Sequence, residues 1–542
     1  MNLETYLNKA LSRAADSLGI ALPAYQLTPP RNHTFGDLST NLALLLAKPL
    51  KKNPLRIAEE IKDHLELDSD WIQRVTVTPP GFINFTISPN YLYRILNDIL
   101  TRQDDFGKSG TGGGKTANVE FVSANPTGPL TVGHGRQAVL GDTVASILSW
   151  HGYQVTREYY YNDAGRQMRV LGQSVEARYF QALGRDVPLP EEGYQGHYLK
   201  DVAAKLIKVY GDQLPPNDSR FRQAAEEMIF SEIKTALQDL GIVHDVFTNE
   251  KIFYDNGDIE DIVSALRDRD LAYDAEGATW FRTTKLGKDQ DRVLIKSSGE
   301  PTYRLPDMAY HRHKLQRKYD LIVDLFGADH QDTYPDVLAA LEALGYDTSA
   351  IRVLIHQFVT LIRHGEVVKM STRKANFITL SNLTQQVGKD VVRYFFIMRG
   401  MNSHLNFDLD LAQDQSDKNP VFYLQYAHAR IANILKRGET AGFVFNREFQ
   451  PHGLTHPVEL DLLKSLANFP AVMLAALDSL EPQSIANYLQ DLATGFHRFY
   501  TDCRVLTDDK DLSQARLALI RAVQIVMRNG LNLLGIQAPD RM

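Results

Sequence analysis

Three kinds of hydrophobic patterning succeed one another along the chain. Up to about residue 110 they are mixed. Helical periodicity runs over 3–18, 38–49 and 55–66, and alternating strands follow at 74–78 and 82–85 around the turn Pro79-Pro80-Gly81. This predicts a small α+β module. From 117 to about 175, and again from 290 to 380, apolar strands alternate with helices, with strands expected at 118–122, 154–160, 321–326 and 352–360. Strand–helix alternation implies a parallel α/β sheet. The charged stretch 175–285 between the two halves predicts a mostly helical insertion. After about 385 strand signals cease. Residues 420–542 read as amphipathic helices, and the last stops at Gly535 with Pro539 beyond it.

Composition narrows the class. A chain of 542 residues is too long for one ordinary domain, so about three are expected. Hydrophobic content of 44% with 23% charged residues suits a soluble globular protein, and no run of about 18 uninterrupted apolar residues predicts a membrane span. The N-terminus lacks the basic start and apolar run of a secretory signal. A single cysteine, Cys503, excludes an internal disulfide framework and a cysteine-rich zinc site, and favours the cytosol. The net charge of −7 argues against a nucleic-acid binder acting through bulk charge, but not against local basic faces.

The candidate chemistry lies in two segments. In the first, an apolar strand (119–122) breaks into the turn Asn125-Pro126-Thr127-Gly128-Pro129 and enters a helix through Gly133-His134. A helix N-terminus offers free N–H groups and positive potential to phosphates. His134 can donate to a phosphate there, and Gly133 leaves room for a base against the backbone. The second segment is the basic turn Val368-Lys369-Met370-Ser371-Thr372-Arg373-Lys374, with Lys369 as a point charge and Ser371 as a hydroxyl donor. The bland alternatives are that His134 caps a helix and that the basic turn is solvated surface. Residues 107–116 imitate a phosphate-binding P-loop. However, Ser109 stands where its first glycine belongs and a strand follows instead of a helix, so a flexible linker is expected.

Together the segments resemble the HIGH and KMSKS signatures of class I aminoacyl-tRNA synthetases, with Thr131 at the first motif position and Thr372 at that of the second lysine. Tyr161-Asn162-Asp163-Ala164-Gly165-Arg166-Gln167, Tyr303-Arg304-Leu305-Pro306-Asp307 and Phe326-Gly327-Ala328-Asp329-His330 narrow the likeness to the arginyl-tRNA synthetases. The resemblance implies a multidomain α/β fold. It comprises an N-terminal α+β module that binds the tRNA elbow (1–110, with Phe35-Gly36-Asp37 and Pro80-Gly81-Phe82 as its marks), a Rossmann-like catalytic domain (115–380), a helical connector (381–420) and an all-helical anticodon-binding bundle (421–542). It implies ATP with magnesium, L-arginine and the tRNA for arginine as ligands, and a cytoplasmic monomer.

In this likeness His134, Lys369 and Thr131 serve catalysis, and Gly133, His134, Asp329, His330, Lys369, Met370, Ser371 and Arg373 hold ATP. Arginine falls to Glu120, Ser123, Asn125, Tyr303, Asp307 and Gln167. Glu120, Ser123 and Asn125 are expected to share one face of the first strand. Glu120, an acid in an apolar strand, requires a cationic partner. Tyr423, Arg430 and Arg528 are candidates for contact with the anticodon. No dedicated metal site is expected. Two alternatives stay open: a tRNA-binding paralogue without catalysis, for which Thr131 and Thr372 argue, and a nucleotidyltransferase making a small product.

Overall fold

The structure is a computed structural model that describes residues 3–30, 32–163, 165–368, 378–443 and 451–542. Its centre is a five-stranded sheet of β1 (Thr116–Glu120), β2 (Gln154–Tyr161), β3 (Val246–Asn249), β4 (Leu321–Gly327) and β5 (Ile351–His356), in the order β5-β4-β1-β2-β3. Every neighbouring pair is parallel. The chain leaves β1 towards β2 on one side and returns as β4 on the other. The connections therefore diverge at β1 and open a crevice beyond the strand C-termini, where open α/β sheets take ligands. Helix α1 (Val132–Trp150) joins β1 to β2. It is apolar on nearly every side because it lies between the sheet and the helices Lys389–Ile397 and Lys510–Leu533. Helices α2 (Gly165–Ala182) and α3 (Arg304–Gln316) carry further candidate residues.

Tertiary pairing revises three local expectations. The single strand expected at 352–360 is two. β5 stops at His356, and Val359–Arg363 pairs instead with Leu405–Asp408 in a second sheet. That pairing also puts a strand beyond 385, where none was expected. The insertion is mostly helical as expected, with β3 added to the central sheet and Ala272–Ala275 and Ala278–Phe281 forming a small antiparallel sheet with Arg292–Ile295 beyond it. Finally, the helix expected at 38–49 begins later: Leu38–Thr40 is a strand and the helix is Leu42–Leu50.

The N-terminal residues form a four-stranded antiparallel sheet covered by three helices, with a core of Leu7, Leu11, Ile57, Ile61 and Phe85. Helix Pro89–Arg102 then packs on Pro457–Ser479 and Lys510–Leu533 of the C-terminal bundle. Asp37 helps to hold this junction, accepting from the Ile87 N–H at 2.7 Å and pairing with Lys464 at 2.7 Å. The glycine-rich segment is tied down as well as linking domains: Gly112 N–H donates to His151 O at 2.8 Å and Gly114 N–H to Gly152 O at 3.1 Å. By length and composition Pro457–Ser479 is long and apolar enough to cross a membrane; here Leu462, Leu463, Leu466, Phe469 and Met473 are buried in the bundle.

Candidate active site

β1 ends at Glu120, and the backbone then turns through two left-handed residues, Val122 (φ 70°) and Ser123 (φ 43°). For a β-branched residue this is an outlier that costs on the order of 1–3 kcal/mol and persists only where surrounding bonds hold it. The bonds are present. Ser123 Oγ donates to Glu120 Oε1 at 2.8 Å and accepts from Tyr160 N–H at 3.1 Å, and Tyr159 OH donates to Ala124 O at 2.8 Å. Thus Glu120 and Ser123 meet through a turn, not through strand alternation as expected. Asn125 accepts from Asn162 N–H at 2.9 Å and donates to Gln167 Oε1 at 3.2 Å, which joins the turn to the start of α2.

The turn delivers the chain to α1. Thr131 is its N-cap: Oγ1 accepts from the His134 N–H at 3.4 Å, while His134 Nδ1 accepts from the Thr131 N–H at 3.2 Å. Capping and ligand binding are compatible here. With Nδ1 accepting, the ring proton belongs on Nε2. Burial lowers the His134 pKa despite nearby Asp329, so the ring acts as a neutral donor. A Cβ built on Gly133 would meet nothing nearer than Thr131 Oγ1 at 3.7 Å, so the space over this first turn is open. Arg136, fully buried on α1, donates to Gln357 O, Ser403 O and Gly400 O at 2.7, 3.0 and 2.9 Å, fixing the helix start against the ends of β5 and the second sheet.

Beneath the crevice lies a charged network. The cation required by Glu120 is Lys314 of α3, fully buried, whose Nζ bonds Glu120 Oε2 and Asp324 Oδ1, the latter at 2.5 Å. Burial opposes its charge, but Asp324 and Glu120 outweigh that and raise its pKa. Glu120, His311 and Asp324 have the spacing of a metal site, but the Lys314 ammonium bridges two of these carboxylates. His311 faces acceptors on both nitrogens, Asp307 O at 2.8 Å and Asp324 Oδ2 at 3.0 Å. Burial disfavours its charge, but Asp324 prevails and raises the pKa. Glu158 accepts from Asn118, Thr248 and Arg317, each at 2.6 Å. Glu250 accepts from Tyr160 OH at 2.9 Å and Asn162 Nδ2 at 2.6 Å, and burial raises its pKa.

Asp307 differs from the rest. It sits in the first turn of α3, and no described residue donates a hydrogen bond to its carboxylate; burial, with smaller help from Glu120 and Glu250, pushes its pKa up to about 7 against the opposing effects of His311 and Lys314. Asp307, His311, Phe326 and His330 line one cavity of about 10 Å³. The His330 ring stacks on Phe326 at 5.5 Å. The site therefore has a phosphate-suited helix start at one end and, at the other, an acidic floor with a carboxyl that accepts no hydrogen bond from a described residue.

Of the expected residues, Glu120, Ser123, Asn125, Gln167, Gly133, His134, Asp307, Asp329 and His330 gather at the C-terminal edge of the sheet or on the helix starts facing it. Tyr303 does not join them by hydrogen bonds; it stands 71% exposed at the entry to α3. Lys369, Met370, Ser371 and Arg373 lie outside the described residues. Lys314, His311, Asp324, Glu158 and Glu250 were not singled out from the sequence. Asp324 is an acid in an apolar strand and so carries the same signal as Glu120, whereas Glu158 stands in a strand with Gln154, Thr156 and Arg157 and does not. No comparable signal marks Lys314 or Glu250.

A second candidate surface lies on the C-terminal bundle. The Arg430 guanidinium lies 4.6 Å from the Tyr426 ring centre and 5.1 Å from that of Tyr500, with both tyrosines exposed. Tyr423 packs on His497 beside them. Arg528 is elsewhere, paired with Asp104 at 2.5 Å.

Three family models match the chain: the arginyl tRNA synthetase N terminal domain over 1–87, the class I (R) tRNA synthetase catalytic domain over 95–396, and the DALR anticodon binding domain over 424–542. An arginine–tRNA ligase of Salinibacter ruber is 48% identical over 563 aligned positions covering 100% of both chains. One of Desulfotalea psychrophila is also 48% identical, covering 96% of this chain and 95% of its own. The arginyl-tRNA synthetase of Thermus thermophilus superposes with a TM-score of 0.77 at 22% identity, over 99% of this chain and 100% of that one. A Rossmann-like parallel sheet carrying such a site, with these matches from end to end, makes this chain a member of the arginyl-tRNA synthetase family.

Proposed function

We propose that the chain attaches L-arginine to the tRNA for arginine at the expense of ATP, which enters with magnesium as part of the substrate. The arginine carboxylate attacks the α-phosphorus, forming arginyl-adenylate as the bond to pyrophosphate breaks. A terminal ribose hydroxyl of tRNA then attacks the acyl carbon and AMP leaves. His134 Nε2–H and the free N–H groups of α1 face the phosphates, where a donor aimed at developing charge lowers the barrier without reorganisation. Thr131, Gly133, Asp329 and His330 flank the same space, and Lys369, Met370, Ser371 and Arg373 complete the ATP contacts in this proposal. Most of the rate then comes from positioning and charge stabilisation.

The observation that carries the proposal is the Asp307 carboxyl, which receives no hydrogen bond from a described residue and lies near enough to Glu120 and Glu250 for both to raise its pKa. A planar guanidinium is the natural counter-ion for such a cluster. Asp307 and Glu250 take the guanidinium, with Tyr303 at the mouth. Glu120, Ser123, Asn125 and Gln167 form the polar wall towards α1, where the substrate carboxylate must meet ATP. Residues 115–380 perform the chemistry, 1–110 reach the tRNA elbow, 381–420 connect, and 421–542 read the anticodon, with Tyr426, Arg430 and Tyr500 as a stacking face. A monomer working in the cytoplasm completes the proposal.

The test is amino-acid-dependent ATP–pyrophosphate exchange, with and without tRNA, over all twenty amino acids. Exchange only with arginine among the amino acids, and only with tRNA present, is the expected result. Absence of exchange with any amino acid, alongside intact tRNA binding, would instead favour the paralogue that has lost catalysis.

A further inference from the structure

β4 and β5 end side by side, with Gly327 opposite His356 in register. His356 is only 6% exposed, and its Nε2 is buried without a hydrogen-bond partner among the described residues. Its other nitrogen is engaged, Nδ1 facing Gln357 O at 3.2 Å. A carbonyl can only accept, so the ring proton belongs on Nδ1 and Nε2 presents a bare lone pair. Burial, with Arg136 adding to it, lowers the pKa to about 4, which keeps the ring neutral. A buried unpaired acceptor is costly and calls for an explanation.

The surroundings suggest one. A Cβ built on Gly327 would lie 2.5 Å from Asp329 Oδ1 and 3.8 Å from His356 Nε2, so the two acceptors converge over this glycine. The Asp329 side chain is 67% exposed, and its nearest ion-pair partner is His330 at 3.8 Å. Both His134 and Asp329 are close enough to bias the His356 titration, which puts the pair beside the start of α1. Two adjacent acceptors complement two adjacent O–H donors. The amino group of adenine fits less well, because it is flanked by ring nitrogens that a carboxylate would repel.

We infer that His356 is a further ATP-contacting residue, whose Nε2 accepts a hydrogen bond from one hydroxyl of the ribose cis-diol while Asp329 faces the other. The inference deepens the proposed function and rests on its ATP site. It assigns His356 a part in selecting a ribonucleotide.

The test is a cycle between protein and ligand. Affinities of ATP, 2′-deoxyATP, 3′-deoxyATP and purine riboside triphosphate (which lacks the amino group) are measured by titration calorimetry on the full chain, wild type, His356→Ala and His356→Gln. A neutral hydrogen bond corresponds to about threefold to tenfold in affinity. The wild type should bind one deoxy analogue that much more weakly than ATP. In H356A, ATP should weaken by a similar factor and discrimination against that analogue should vanish. H356Q, which keeps an acceptor, should retain most of it. General damage to the pocket would weaken ATP and its analogues alike, leaving discrimination intact. That result overturns the inference, as do loss of discrimination only against purine riboside triphosphate and failure of the wild type to bind ATP. Ribose discrimination that depends on His356, in a chain without arginine-dependent exchange, would uphold this contact while refuting the ligase function.

Discussion

Replacing Asp307 by Asn tests the centre of the argument, because it separates stability from recognition. In the free protein the carboxyl is raised from 3.8 to about 7. The folded state thus holds this proton more tightly than the unfolded state does, so the group costs stability as pH rises from about 4 through 7. The cost levels off at about 4 kcal/mol above pH 7, at 1.36 kcal/mol per pKa unit. Asp307→Asn removes the titration, so the ligand-free variant should melt higher than wild type at pH 8 and match it near pH 4. The same change removes an acceptor for the guanidinium. A hydrogen bond to a charged group contributes about 1.5–3 kcal/mol, so kcat/KM for arginine should fall roughly tenfold to two-hundredfold in pyrophosphate exchange, with the KM for ATP nearly constant. Wild-type KM for arginine should rise about tenfold per pH unit below 7 and be flat above it, and the variant should lose this dependence. An unchanged arginine KM in D307N, or a pH profile that survives the substitution, would refute the reasoning.

Further expectations concern other parts of the molecule. His134→Ala should reduce the activation rate by about a hundredfold with little change in tRNA affinity; a loss of tRNA binding at unchanged turnover would contradict the assigned role. Since burial keeps His134 neutral, its contribution should be constant between pH 7 and 8. Lys314→Met should destabilise by about 3–5 kcal/mol in denaturant titrations, because Glu120 and Asp324 lose their buried counter-ion; a neutral effect would mean the network is not ionised as described. Tyr426→Ala should raise the KM for tRNA in aminoacylation, by up to the 1–3 kcal/mol of one stacked base, without altering that for arginine. An equal effect on a tRNA with an altered anticodon would place the contact elsewhere.

Much of the site is local in origin. The turn Asn125–Pro129, the cap Thr131 and the open Gly133 fall within a single nine-residue stretch, and together they mark a helix start. The strands 74–78 and 82–85 and the final helix stop at Gly535 are legible for the same reason, since alternation, turn residues and caps act over a few positions. The requirement that Glu120 find a cation is also written in β1, because an acid among buried apolar neighbours must be compensated. The identity of that cation is not: Lys314 stands 194 residues away and reaches Glu120 only because α3 packs over β1 and β4. The same holds for the left-handed turn at Val122 and Ser123, which β-branched propensity opposes and which bonds from β2 hold in place. It holds also for the break after His356, where the run 352–360 divides because Val359–Arg363 pairs with Leu405–Asp408. Local pattern marked most of the elements and the turn, cap and strand acid around the start of α1. Only long-range packing decided which carboxylates are neutralised, and it left the Asp307 carboxylate without a hydrogen-bond donor among the described residues.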